Sequence, residues 1–200
     1  MTSDPPANGT AGPVVLIGFM GAGKSTVGSV LAAHLGVEYL DTDHEIVRRT
    51  GRSIADIFAT DGEERFREVE TAVISDVLTN HRGVVALGGG AVLSPEVRRV
   101  LSGHRVVHLY VAPAAGFARV EGSARPLLQV DADGRTPRER YVALHAARAA
   151  VYAEVATVRV DTDDADPVTV AGRIRVLLDP ATPSSDRSHP HHPDPREASS

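Results

Sequence analysis

One octapeptide restricts what this chain can fold into more than any other segment: Gly18-Phe19-Met20-Gly21-Ala22-Gly23-Lys24-Ser25. It satisfies G-x-x-x-x-G-K-[ST] at every fixed position. Glycines in such a loop let the backbone turn tightly and aim successive N–H groups inward at a phosphate. A helix opening at Lys24 adds the partial positive charge of its N-terminus. The loop needs a buried strand before it and a helix after it, and the flanks supply both. Val14-Val15-Leu16-Ile17 is a short apolar run read as a strand. Lys24 to Leu35 keeps helical spacing through Val27, Val30, Leu31 and Leu35, with Gly36 as its stop. The expectation is a bound nucleotide, with Gly21, Ala22, Gly23 and Thr26 in the cradle. Lys24 would reach the β- and γ-phosphates and the Ser25 hydroxyl would bind magnesium. The loop alone does not say what the nucleotide is used for.

The alternation continues downstream. Glu38-Tyr39-Leu40, Val84 to Leu87, Arg105 to Val111 and Thr157 to Val160 read as further strands. Asp61 followed by Glu64 resembles a capping box and predicts a helix running to about Asn80. Ser94-Pro95, Thr136-Pro137-Arg138-Glu139 and Asp166-Pro167 each set a capping side chain before a proline at the first helical position. The last two of these helices are expected to end near Glu154 and Leu178. Strands alternating with helices give an α/β domain, from about residue 13 to residue 178, with a parallel sheet covered on both faces. Glu121 to Arg135 interrupts the pattern around Arg125-Pro126-Leu127-Leu128, and reads as part of a lid covering about residues 113–136. Residues 1–12 and 179–200 are poor in core-forming side chains and read as a disordered leader and tail. His189, His191 and His192 in that tail read as solvated rather than as a metal site.

Composition narrows the function classes. There are 21 Lys and Arg against 26 Asp and Glu, a formal charge of −5. That balance argues against nucleic-acid or anionic-membrane partners, which need a basic surface. The absence of cysteine excludes disulfides, thiolate chemistry and Cys-ligated zinc. No apolar run approaches the roughly 20 residues that span a bilayer. The first 13 residues have no basic start and no apolar stretch. A cytoplasmic enzyme, monomeric and binding only small molecules, is expected.

Several groups could carry chemistry beyond the loop. Asp41 and Asp43 stand at the end of the second strand, where an i, i+2 pair in extended backbone would face the phosphates together. One could hold a metal-bound water and the other an acceptor hydroxyl, or Asp41 could simply cap the next helix. Gly88-Gly89-Gly90 ends the third strand; it is either a tight turn or a set of backbone donors where α/β folds bind ligands. Arg67, Arg125 and Arg148 each read as a solvated charge when taken singly. Arg148 differs in interrupting an alanine-rich face, Ala146-Ala147-Arg148-Ala149-Ala150, where a guanidinium could enter a tight site and grip a carboxylate.

Taken in order, Asp41-Thr42-Asp43, the run Thr50 to Phe58, Glu64-Arg65-Phe66-Arg67 with Glu70, Gly88-Gly89-Gly90 and Arg125-Pro126-Leu127-Leu128 resemble shikimate kinases, over about residues 14 to 178. The resemblance implies transfer of the ATP γ-phosphate to the 3-hydroxyl of shikimate. It implies a three-layer α/β/α P-loop fold with a five-stranded parallel sheet ordered 2-3-1-4-5, closed by a lid. Lys24, Asp43 and Arg125 would be catalytic, with Asp43 the base, and Ser25 and Asp41 would support one Mg2+. Arg67, oriented by Glu70, and Arg148 would clamp the substrate carboxylate. Gly88, Gly89 and Gly90 would line the substrate, with N–H donors from the last two. Arg119, Arg125 and Pro167 would complete the ATP site. Ile54, Phe58 and Phe66 would either wall the substrate ring or pack in the core. Two departures fall on the adenine side. Arg119 precedes Arg125 by six residues where the family has seven, and Asp163-Asp164-Ala165-Asp166 precedes Pro167 where the family carries basic residues. On this reading, ATP affinity rests on phosphate contacts more than on the base.

Overall fold

A computed structural model describes residues 12–122 and 134–179. Five short strands, β1 (Val14–Ile17), β2 (Tyr39–Asp41), β3 (Val84–Ala86), β4 (Arg105–Tyr110) and β5 (Val158–Asp161), form one sheet in the order β2-β3-β1-β4-β5. Every pairing is parallel. The residues of β1 are buried on both sides because the layers alternate. Val14 and Leu16 join Val27, Leu31, Val170 and Ile174 on one face. Val15 and Ile17 join Ile57, Ile74, Val97 and Tyr141 on the other. Near-continuous Val, Ile and Leu is what a strand covered on both faces requires.

Seven α-helices lie among the described residues: α1 (Lys24–Leu35), α2 (Thr42–Thr50), α3 (Ile54–Asn80), α4 (Pro95–Leu101), α5 (Pro113–Val120), α6 (Pro137–Val155) and α7 (Pro167–Leu178). The expected starts of α4, α6 and α7 hold. Ser94 accepts from the Val97 N–H, and Thr136 and Glu139 close a reciprocal capping box. Asp166 accepts from Val168 and Thr169.

Two expectations are corrected. The arm that runs to Asn80 starts after Gly62, close to the expected start, but an earlier arm begins at Ile54 under a Ser53 cap, and Asp61 pairs with Arg52 at 2.7 Å instead of capping. A break at Gly62 (φ 83°, ψ 173°) divides that helix into two arms. Asp43 does not extend the strand beside Asp41; it sits in the first turn of α2, because Asp41 caps that helix by accepting from the Asp43 N–H at 3.0 Å. Of the expected lid, residues 113–122 are α5 and the turn after it; Arg125 and residues 123–133 lie outside the described residues. The expected leader and tail also fall outside them, except for Gly12 and Asp179.

Candidate active site

The loop after β1 turns into α1 through Gly23, whose φ of 83° places it in the left-handed region that glycine adopts without strain. Lys24 folds back along this loop and donates to the Gly18 carbonyl at 2.8 Å. Beyond it, the Ser25 hydroxyl donates to Asp41 Oδ2 at 3.4 Å. Tyr39 OH donates to the same oxygen at 3.3 Å. Burial pushes the Tyr39 hydroxyl up to about 12, so it remains a neutral donor. Ser25 and Asp41 thus present oxygen ligands side by side where a strand end meets a helix start, a donor set suited to a hard divalent cation. Among the described residues no group of three or more His, Asp or Glu could hold a metal alone. A cation here would complete its shell with water and phosphate oxygens. The capping reading of Asp41 holds, with one carboxylate oxygen accepting from the Asp43 N–H while the other faces Ser25.

Asp43 stands between the phosphate loop and the arginines. Burial, then the Asp41 charge, raise its pKa above the ordinary carboxylate value, while Lys24, His44 and Arg67 pull it down. A Cβ on Gly88 would lie 2.5 Å from Asp43 Oδ1 and 3.3 Å from Glu70 Oε1. The absent side chain at Gly88 therefore lets two carboxylates approach the end of β3. Glu70 is 2% exposed and accepts from Arg67 Nη1 at 2.7 Å. Its pKa is raised, chiefly by burial, against the opposing pull of Arg67. Glu63 takes the other arm of Arg67 at 3.1 Å. Arg67 in turn passes 3.3 Å from the position of a Cβ on Gly90.

From the opposite wall, Arg148 on α6 donates to the Gly89 carbonyl at 3.2 Å and lies over the Phe19 ring, 5.3 Å from its centre. It is buried, as the alanines around it suggested. The structure thus brings Lys24, Ser25, Asp41, Asp43, Arg67, Glu70, Gly88, Gly89, Gly90 and Arg148 to the C-terminal ends of β1, β2 and β3.

Arg119 lies apart from this group. It donates to the Gly21 carbonyl at 3.2 Å and to the Thr162 and Asp163 carbonyls at 2.6 and 3.0 Å, strapping the phosphate loop to the β5–α7 connection. Pro167 opens α7 at the end of that connection. Phe66 is core, while Phe58 is half-exposed and stacks on it at 4.5 Å.

Four contributors escaped the sequence reading. Thr42 Oγ1 accepts from the Gly88 N–H at 3.2 Å, tying the end of β2 to that of β3. Tyr39 supports Asp41, and Tyr141 OH donates to the Met20 carbonyl at 2.8 Å behind the phosphate loop. Tyr152 OH donates to the Gly89 carbonyl at 2.6 Å. Only Tyr152 left a signal in the sequence, four residues after Arg148 and so on the same helix face.

Known proteins resemble this chain in sequence and fold. The family profile for shikimate kinase matches residues 20–178. The shikimate kinase of Mycobacterium tuberculosis (strain ATCC 25177 / H37Ra) is 52% identical over 171 residues, 85% of this chain and 95% of that one. That of Mycobacterium ulcerans is 49% identical over 175 residues, 87% and 93% of the two chains. Among solved structures, a shikimate kinase from Acinetobacter baumannii in complex with shikimate aligns with a TM-score of 0.78 at 38% identity, covering 84% of this chain and 93% of that one. One from Aquifex aeolicus aligns at 0.71 with 31% identity, covering 83% and 95%. With the fold, the phosphate loop and the converging arginines in place, these matches establish that the chain belongs to the shikimate kinase family.

Proposed function

We propose that the protein transfers the γ-phosphate of ATP to the 3-hydroxyl of shikimate, giving shikimate 3-phosphate and ADP. The observation that carries this reading is the position of Asp43, whose carboxylate feels both Lys24 of the phosphate loop and Arg67 of the opposite arm. It therefore bridges a site for phosphate and a site for a carboxylate. Arg67, held by Glu70, and Arg148 bind the shikimate carboxylate; Asp43 takes the acceptor hydroxyl. The hydroxyl oxygen bonds to the γ-phosphorus while the bond to the β,γ-bridging oxygen breaks, and its proton passes to Asp43. Phosphoryl transfer asks mainly for positioning and charge neutralisation. Lys24 supplies part of the latter, and Arg125, outside the described residues, supplies more. Mg2+ held through Ser25 and Asp41 neutralises phosphate oxygens when bound. The unit acts as a cytoplasmic monomer spanning about residues 13–178.

A coupled ADP-release assay with the full chain over shikimate, gluconate and nucleoside monophosphates tests the reading. Turnover dependent on shikimate and on Mg2+ is expected. Turnover with gluconate or a nucleotide but not with shikimate would overturn it.

A further inference from the structure

The loop that ends β3 carries two backbone donors with no acceptor among the described residues. Neither the Gly89 nor the Gly90 N–H makes a hydrogen bond to any described residue. The Gly89 carbonyl between them is oversupplied, accepting from Tyr152 OH at 2.6 Å and from Arg148 Nη1 at 3.2 Å. The peptide joining Gly89 to Gly90 is planar and trans, so its carbonyl and its N–H point in opposite directions. Two donors from α6 that hold the carbonyl toward the helix therefore turn the Gly90 N–H away from it. A glycine pair has wide backbone freedom. Without an external hold this peptide could turn, and the donor would turn with it.

The Tyr152 ring is firmly seated for that task. It is 3% exposed, stacks on His108 at 4.9 Å with an interplanar angle of 15°, and borders a cavity of about 210 Å³ also lined by Phe19, Tyr110, His145 and Ala153. Burial pushes its hydroxyl up to about 12, so it donates at any working pH. His108 is pushed down to about 4, first by burial and then by the nearby Arg159 charge, so the stack stays uncharged.

We infer that Tyr152 is a positioning residue for the phosphate acceptor: its hydroxyl, together with Arg148, fixes the Gly89–Gly90 peptide so that the Gly90 N–H faces shikimate. The inference rests on the function proposed above. It also gives Arg148 two tasks. One arm stays on the Gly89 carbonyl while the remaining donors of its fork meet the substrate carboxylate. Tyr152 keeps the peptide in place whatever the exchange between them.

The test is Tyr152→Phe in the full chain, which deletes one oxygen and keeps the ring. The shikimate KM is expected to rise about 10-fold, the scale of one lost buried hydrogen bond. The kcat and the ATP KM should stay within about twofold, a split that a general loss of packing would not produce. A shikimate KM within twofold of the parent, or equal losses in kcat and ATP KM, overturns the inference. A second measurement needs no variant: the amide resonances of Gly89 and Gly90 in the parent protein should move on saturation with shikimate, and fixed resonances also overturn it. Absent shikimate turnover in the parent protein would instead count against the proposed function itself.

Discussion

Asp43, the proposed proton acceptor, has a protonation equilibrium that works against the fold. Its pKa lies above the ordinary carboxylate value, mainly through burial and then through the Asp41 charge. A carboxyl with a raised folded-state pKa contributes stability that is complete below its unfolded value and is lost as pH rises through the folded one. Above that value, deprotonating Asp43 is less favourable in the folded protein than in the unfolded chain. Asp43→Asn should raise the melting temperature at pH 7.5, and the advantage should fade as pH approaches the unfolded carboxylate value, about 4. The same change removes the proposed proton acceptor, so kcat should fall by about 10² or more, with ATP affinity nearly unchanged. A lower melting temperature at pH 7.5 would show that Asp43 is held by favourable contacts rather than strained. Arg148→Ala makes the complementary case. It should raise the shikimate KM by at least about 10-fold, on the scale of a charge-assisted hydrogen-bond pair, and leave ATP binding as it was. Asp41, Asp43 and Arg148 could be found from residue type and spacing, because chemistry needs charges there. Thr42, Tyr39 and Tyr141 could not, because they act on backbone or neighbouring groups. Tyr141 reaches across 121 positions to Met20.

The elements that position the site were legible where a local signal fixed them. Prolines at the first helical position marked α4, α6 and α7, and short apolar runs marked the five strands to within about a residue. The α2–α3 region was not legible to the same degree, since its geometry depends on a contact between segments. Arg52 reaches Asp61 across nine positions, and this ion pair spans the arm that precedes the Gly62 break. An Asp three residues before a Glu looks like a cap whether or not an arginine claims it. The break has consequences for the site, because the second arm of α3 carries Glu63, Arg67 and Glu70 as one ion-pair network. A Cβ added at Gly62 would meet open space, so a side chain there would cost only backbone strain. Its φ and ψ lie in a region essentially reserved for glycine. Gly62→Ala should therefore destabilise the protein by about 1–3 kcal/mol in urea unfolding. Shikimate KM should rise more than ATP KM, since only the shikimate arm is displaced. Unchanged stability would mean that the two arms of α3 can realign at no cost.

At the scale of the molecule, a chain with a net charge of −5 must attract two anionic substrates. Lys24, Arg67 and Arg148 stand at one end of the sheet, with Arg67 paired to Glu63 and Glu70, and surface arginines elsewhere also pair with carboxylates, as Arg49 does with Glu45 and Asp76. The adenine side lacks such a concentration. Asp163 accepts from the Ala112 N–H at 2.8 Å, Asp161 from the Asp163 N–H, and Asp166 caps α7, so the acidic run shapes the β5–α7 connection rather than a charged base pocket. Arg119, at the end of α5, is already engaged with the Gly21, Thr162 and Asp163 carbonyls. The proposed adenine side at Pro167 thus has the Arg119 guanidinium committed to backbone carbonyls. Base identity should then matter little beside the phosphate contacts at Gly21 to Ser25. The expected outcome is that Mg-GTP supports shikimate phosphorylation with a KM within about 10-fold of that for Mg-ATP, equivalent to no more than about 1.4 kcal/mol of discrimination. A preference for ATP of 100-fold or more would mean that Arg119 leaves its three carbonyls to contact adenine. In that case Arg119→Ala should erase the preference while leaving the shikimate KM unchanged.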